Sequence, residues 1–114
     1  MARRRELRKI KRFEVYWVAL DPTIGREIKK TRPCVVITYD EMNELLGTVI
    51  IAPITSTLRN LPFRIDVKLK NKNGQIALDQ MRSVDKSRLG DHITTIKGKA
   101  EQEILEKLSE MFAE

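Results

Sequence analysis

Residues 21–33 read Asp-Pro-Thr-Ile-Gly-Arg-Glu-Ile-Lys-Lys-Thr-Arg-Pro and place Arg26, Lys29, Lys30 and Arg32 beside Asp21 and Glu27 in one segment. Asp before Pro disfavours helix, Gly25 admits a positive φ, and Pro33 fixes φ at the far end, so this is a loop that presents its side chains. A guanidinium is a rigid fork of donors that can hold two phosphate oxygens and stabilise the added charge of a pentacoordinate phosphorus. A second polar loop at residues 55–62 supplies hydroxyls. Together these groups suit metal-free cleavage of a phosphodiester. RNA brings its own nucleophile, the 2′-hydroxyl, so an enzyme needs orientation, a proton acceptor, a donor to the leaving 5′-oxygen and charge stabilisation. The products are then a 2′,3′-cyclic phosphate and a 5′-hydroxyl.

Other chemistries are excluded by residue type. Cys34 is the one cysteine and His92 the one histidine, so a Cys/His metal cluster, a disulfide and a two-histidine acid–base pair cannot form within one chain. Cys34 sits in an apolar run and reads as a small buried hydrophobe. His92, near a turn in a short surface strand, reads as structural. There is no Gly-rich phosphate cradle, and neither metal nor cofactor is expected.

The formal charge of +6 resides in the amino-terminal tail: residues 1–12 hold seven of the 22 cations and one of the 16 carboxylates, which leaves the rest neutral. Phosphate binding by the folded part must therefore come from local clustering. The tail itself reads as a solvated arm or a frayed helical lead-in able to steer a polyanion. At 114 residues one domain, 13–114, follows the tail. No apolar run reaches the roughly 20 residues that span a bilayer, and no apolar stretch follows the basic start as in a secretory signal. A cytoplasmic location is expected.

The loops must be held by strands. Residues 13–20 begin as an alternation and end apolar on both faces; 34–38 are β-branched and read as a central strand; 48–54 form a third buried strand, with Pro53 as an interruption near its end. Asp40 could cap a helical turn within 39–46. Residues 63–70 alternate cleanly, with Phe63, Ile65, Val67 and Leu69 on one face. Asn73-Gly74 then predicts a tight turn at 71–74 and a returning strand over 75–84. A short helical turn at 85–90, a strand at 92–96 and an amphipathic helix over 99–112 complete the chain, the helix with an apolar stripe of Ala100, Ile104, Leu105, Leu108, Met111 and Phe112. The fold class is mainly β with a carboxy-terminal helix (α+β), a small bent barrel covered by that helix.

Three stretches resemble a known family in order. Residues 20–25 with Glu27 and Thr31-Arg32-Pro33-Cys34-Val35-Val36-Ile37, then Pro53-Ile54-Thr55-Ser56, then residues 78–85 beginning Leu78-Asp79-Gln80, are similar to the motifs of the MazF/PemK/Kid toxins of type II toxin–antitoxin systems. The resemblance runs from about residue 13 to 112. It implies an SH3-like barrel shared with the CcdB toxin, a homodimer, a metal-independent mRNA interferase acting on single-stranded RNA, and a MazE-like antitoxin that blocks the groove. Bases must be splayed out to be read, which favours single strands.

Carried over by position, the resemblance makes Arg32 the catalytic arginine, stabilising the transition state, with proton donation to the leaving oxygen as a further role open to it, and Thr55 the catalytic hydroxyl that orients the phosphate or the 2′-hydroxyl. Glu27 and Asp79 match the acidic positions; either accepts the 2′-proton or is an ordinary salt-bridged carboxylate. Gln80 positions a loop or a base. Arg26, Lys29, Lys30, Ser56 and Arg82 complete the expected RNA contacts. Two departures stand out. Where many members read Gly-x-Glu-Gln-x-Gly, Ile28 and Lys30 replace the glutamine and the second glycine, and where the Kid-like branch has a catalytic histidine and arginine, this chain has Arg26 and Ala77. The rival readings are a non-catalytic RNA-binding member and a CcdB-like gyrase inhibitor. Against the latter, CcdB depends on a Trp-Gly-Ile ending and this chain reads Met111-Phe112-Ala113-Glu114.

Overall fold

The computed structural model describes residues 9–113. In order along the chain stand β1 (Glu14–Ala19), β2 (Thr31–Val36), α1 (Asp40–Leu45), β3 (Thr48–Thr55), β4 (Arg64–Leu69), β5 (Lys72–Ala77), β6 (Arg82–Asp85), β7 (Leu89–Thr95) and α2 (Lys99–Phe112). Turns of 3₁₀ helix occupy Leu78–Gln80 and Lys86–Arg88. The strands pair antiparallel in the order β4-β5-β3-β2-β1-β7, and β6 joins β3 off that path.

Strand β3 makes the sheet bend. One edge pairs with β2 from Val36↔Ile51 to Cys34↔Pro53. The other pairs with β6 from Thr48↔Asp85 to Ile51↔Arg82, then with β5 at Ile54↔Ile76 and Thr55↔Gln75. Two different partners along one edge curl the sheet into a half-barrel. This also breaks the single strand expected over 75–84, because residues 78–80 must cross from one half of β3 to the other. Pro53 does not interrupt β3.

Alternate residues of the three central strands feed two cores, as strands apolar on both faces require. Val15, Val35, Ala52 and Ile54 join Ile65, Ile76, Leu78 and Ile104 on one side; Tyr16, Val18, Cys34, Val36, Val49 and Ile51 join Ile10, Leu20, Val84 and Leu89 on the other. Each fully buried aliphatic side chain contributes about 1.5–3 kcal/mol. Helix α2 closes the first core with Ile104, supported by Ala100, Leu108 and Met111. Leu105 and Phe112 stay exposed, at 37% and 72%. They follow Ile104 and Met111 by one residue, about 100° further round the helix, and lie off the face that packs on the sheet.

Three local expectations shift. Strand β2 starts at Thr31, so Arg32 and Pro33 are strand residues opposite Val18 and Trp17. The β4–β5 turn falls at Lys70 and Asn71, φ 49° and 67°, because Leu69 pairs with Lys72. Gly74 lies inside β5, where an added Cβ would stand 3.1 Å from the Thr55 carbonyl oxygen; it is needed for close approach, not for a turn. Asp40 does not cap α1; its Oδ1 accepts the Arg12 backbone N–H at 2.8 Å. The Arg12 Nε donates to the Ile37 carbonyl, and Ile10 is buried, so the described part of the basic tail packs on the fold. Arg3, Arg4, Arg5 and Arg8 lie outside the described residues. Among those described, no helix is long and apolar enough to cross a membrane.

Candidate active site

A cleft of about 270 Å³ opens between the middle of β1 and β2, the end of β3, the β4–β5 hairpin and β7. Arg32 and Thr55 both line it, with Trp17, Pro33, Ile54, Ser56, Lys70 and Lys72 among their neighbours. Two strands thus bring together residues 23 positions apart in the sequence. The pairing Cys34↔Pro53 sets their register, each residue standing two positions from that pair.

Local bonds fix both side chains. The Arg32 Nε donates to the Lys29 carbonyl at 3.1 Å, and the terminal amino groups donate to no protein acceptor among the described residues. They are free for an anion. Thr55 is 7% exposed and its Oγ1 accepts the Thr57 N–H at 3.1 Å, which leaves the hydroxyl hydrogen available to donate. Behind it, buried Gln75 accepts the Arg59 N–H and donates to the Arg59 carbonyl and to Asp66 Oδ1, clamping the 55–62 loop to β5.

The cleft carries three cations, Arg32, Lys70 and Lys72, and no carboxylate. In a partly enclosed site such a set is repulsive to itself and attractive to a polyanion. No group of His, Cys, Asp or Glu that could hold a metal exists among the described residues. Cys34 lies behind the cleft, fully buried, its Sγ directed at the Arg32 carbonyl. Burial pushes its thiol up to about 12, against the smaller opposing effect of Arg82 and Arg32. A thiol so protonated is no nucleophile. His92 stacks edge-on against Tyr16 at 5.4 Å and stands 3.9 Å from Glu14, away from the cleft lining.

The remaining residues singled out from the sequence do not line the cleft. Arg26, Glu27, Lys29 and Lys30 are exposed on the β1–β2 loop. Glu27 Oε1 accepts the Ile24 N–H at 2.6 Å. The base of this loop is closed by Leu20 N–H to the Lys30 carbonyl and Lys30 N–H to Asp21 Oδ1. Arg82 donates to the Leu20 carbonyl, and Arg88 to those of Ala19 and Asp21. Near the other end of the loop, Gln80 accepts the Ile28 N–H at 3.3 Å. Asp79 faces Arg64 in a two-pronged pair, Nε to Oδ1 at 2.7 Å and Nη2 to Oδ2 at 3.0 Å.

Trp17, Lys70, Lys72, Asn73 and Ile93 also line the cleft and were not singled out from the sequence. Trp17 carried a signal as the one tryptophan of the chain; the structure leaves it 40% exposed between buried Tyr16 and Val18. The lysines gave none, because their approach to Thr55 depends on where the hairpin turns.

Residues 11–112 match the family described as PemK-like, MazF-like toxin of type II toxin-antitoxin system. The chain is 34% identical over 107 residues to Endoribonuclease EndoA of Bacillus subtilis (strain 168), with 89% of each chain covered. It superposes on MazF from Deinococcus radiodurans with a TM-score of 0.80 at 23% identity, covering 91% of this chain and 96% of that one. It superposes on a MazE-MazF crystal structure from the same organism with a TM-score of 0.75 at 19% identity, covering 93% and 97%. These structures share the half-barrel with its carboxy-terminal helix. The chain belongs to the PemK-like, MazF-like toxins of type II toxin–antitoxin systems.

Proposed function

We propose that this toxin is an endoribonuclease that cuts single-stranded RNA, using the 2′-hydroxyl of the substrate as nucleophile. The observation that carries this reading is the shared cleft of Arg32 and Thr55, cationic and free of carboxylates. The 2′-oxygen forms a bond to the neighbouring phosphorus, the P–O5′ bond breaks as the leaving oxygen takes a proton from solvent water at the open cleft, and the chain ends as a 2′,3′-cyclic phosphate and a 5′-hydroxyl. Arg32 holds the non-bridging oxygens as their charge grows, and the Thr55 hydroxyl donates to one of them. Trp17 offers a face for base stacking. Of the two candidate proton acceptors, Glu27 is exposed with one oxygen engaged, whereas both oxygens of Asp79 are held by Arg64. Asp79 therefore anchors Arg64, and Glu27, on the exposed loop outside the cleft lining, is the acceptor left for the 2′-proton once the bound strand or the loop brings the two within reach.

The endoribonuclease name of the Bacillus relative supports the activity, and the MazE-MazF complex among similar structures supports an antitoxin partner. A homodimer working in the cytoplasm on mRNA completes the reading. The test is incubation of a long transcript in EDTA with wild type, Arg32→Ala, Thr55→Ala and Thr55→Ser. Wild type leaves 5′-hydroxyl ends, both alanine variants lose at least about 100-fold in rate, on the scale of a lost transition-state donor, and the serine variant keeps most of it. Intact RNA with wild type sinks the reading; full cleavage by Arg32→Ala sinks the site.

A further inference from the structure

We infer that the β4–β5 hairpin is a second phosphate-holding wall, where Lys70 and Lys72 bind the backbone beside the scissile phosphate and Lys68 carries the strand onward over the outer face. The inference rests on the RNA-cleaving reading above.

Three observations carry it. First, Lys70 and Lys72 line the same cleft as Arg32 and Thr55, and none of Lys68, Lys70 and Lys72 has an ion-pair partner among the described residues. Second, Lys70 occupies the left-handed region at φ 49°, which a residue with a Cβ enters at a cost of about 1 kcal/mol. A two-residue hairpin turn favours Asn or Gly at that position, so a lysine there sits against local preference, the pattern expected of a residue kept for binding. Third, the cleft shares a border with a second groove. Asn73 and Gly74 line both, and the second is bordered by Leu58, Asp66, Val67 and Lys68. Lys68 pairs across the strands with Asn73, so the cations follow the shared border. Asp66, the one carboxylate there, accepts from Gln75.

A single strand entering the cleft thus meets Arg32 at the reacting phosphate and lysines on the facing wall, then leaves across the hairpin. Non-specific backbone contacts of this kind add affinity and salt dependence without choosing the sequence. They act on binding and not on the chemical step.

The probe is an RNA of the mapped cut sequence with 2′-deoxyribose at the scissile nucleotide, measured by fluorescence anisotropy across a salt series. The Lys70→Gln/Lys72→Gln variant binds at least about tenfold more weakly, and its log K against log salt slope is shallower by about 1.4, near 0.7 for each lost phosphate contact. On cleavable RNA its KM rises and its kcat stays within about threefold. Lys107→Gln on α2 changes neither. Lys70→Gly melts higher than wild type yet binds more weakly, which separates a binding role from a folding one. Lys68→Gln weakens long probes and spares a probe ending at the cleft. Unchanged affinity and slope in the double variant overturn the inference while wild type still cleaves; equal effects of Lys68→Gln on both probes overturn the outward path. If wild type neither binds nor cuts RNA, the function itself has failed, independently of the hairpin.

Discussion

Arg64 and Asp79 form a fork-to-fork ion pair in which the arginine side chain is only 6% exposed and the aspartate 29%. Removing the carboxylate leaves a nearly buried cation without its partner, at a cost of about 3 kcal/mol. Asp79→Ala should lower the urea midpoint accordingly. Cleavage measured well below the transition should stay within about tenfold of wild type. A loss like that of Arg32→Ala in the still-folded variant would make Asp79 a reacting group.

The Gln80 hydrogen bond to Ile28 ties the β1–β2 loop to the segment leading into β6. Gln80→Ala should loosen that loop alone, by about 1 kcal/mol. Amide exchange at Ile28 should quicken roughly fivefold, with the melting midpoint unchanged. A fall of more than about 4 °C would mean that the bond supports the whole fold.

Lys30 stands at φ 72°, a left-handed conformation that glycine enters at no steric cost. Its backbone closes the loop through Leu20 and Asp21, so the position is required to be left-handed whatever the side chain. Lys30→Gly should stabilise the protein by up to about 1 kcal/mol, the relieved strain being partly offset by a more flexible unfolded chain. A chemical-denaturation series reads this, and a loss of stability would show that the lysine side chain supports the loop.

Trp17 is the one tryptophan and borders the cleft. Its fluorescence should change on titration with the 2′-deoxy-blocked RNA and saturate at the concentration that saturates anisotropy. Thr55→Ala should keep that change while losing cleavage. A flat signal at saturating RNA would remove Trp17 from the binding surface.

Burial holds the Cys34 thiol near 12 against an ordinary 9.0. The folded chain therefore keeps a proton that the unfolded chain loses, and this contribution to stability, complete below pH 9, falls as pH rises from about 9 to 12, by up to about 1.4 kcal/mol per pH unit. Wild type should lose more stability than Cys34→Ala between pH 8.5 and 10.5. A thiol reagent at pH 8 should label native protein no faster than it unfolds. Equal slopes, or rapid labelling, would place the thiol in water.

The sequence made legible whatever depends on one segment at a time. The stripe from Ala100 to Met111 fixed α2 to the residue, and the apolar run after Pro33 marked a central strand. Arg32 and Thr55 were reached through motifs, and their meeting follows from the pairing of β2 with β3. What stayed hidden depends on pairing between segments. Asn73-Gly74 is the stronger local turn signal, yet the alternation of Ile65, Val67 and Leu69 sets a register that moves the turn to Lys70 and Asn71. Gly74 is then claimed by the Thr55 carbonyl, and two lysines arrive in the cleft. The engagement of Asp79 was equally unreadable, since Arg64 lies 15 residues away on another strand.

Thr55 ends a strand that is bonded along both edges and shared by the whole sheet. The site cannot be dismantled locally and rebuilt, because freeing β3 means unfolding the chain. Silencing such a toxin is therefore a matter of covering an intact mouth, and its return to action needs only the cover to leave. A cover that leaves would therefore restore the site with no refolding step in between.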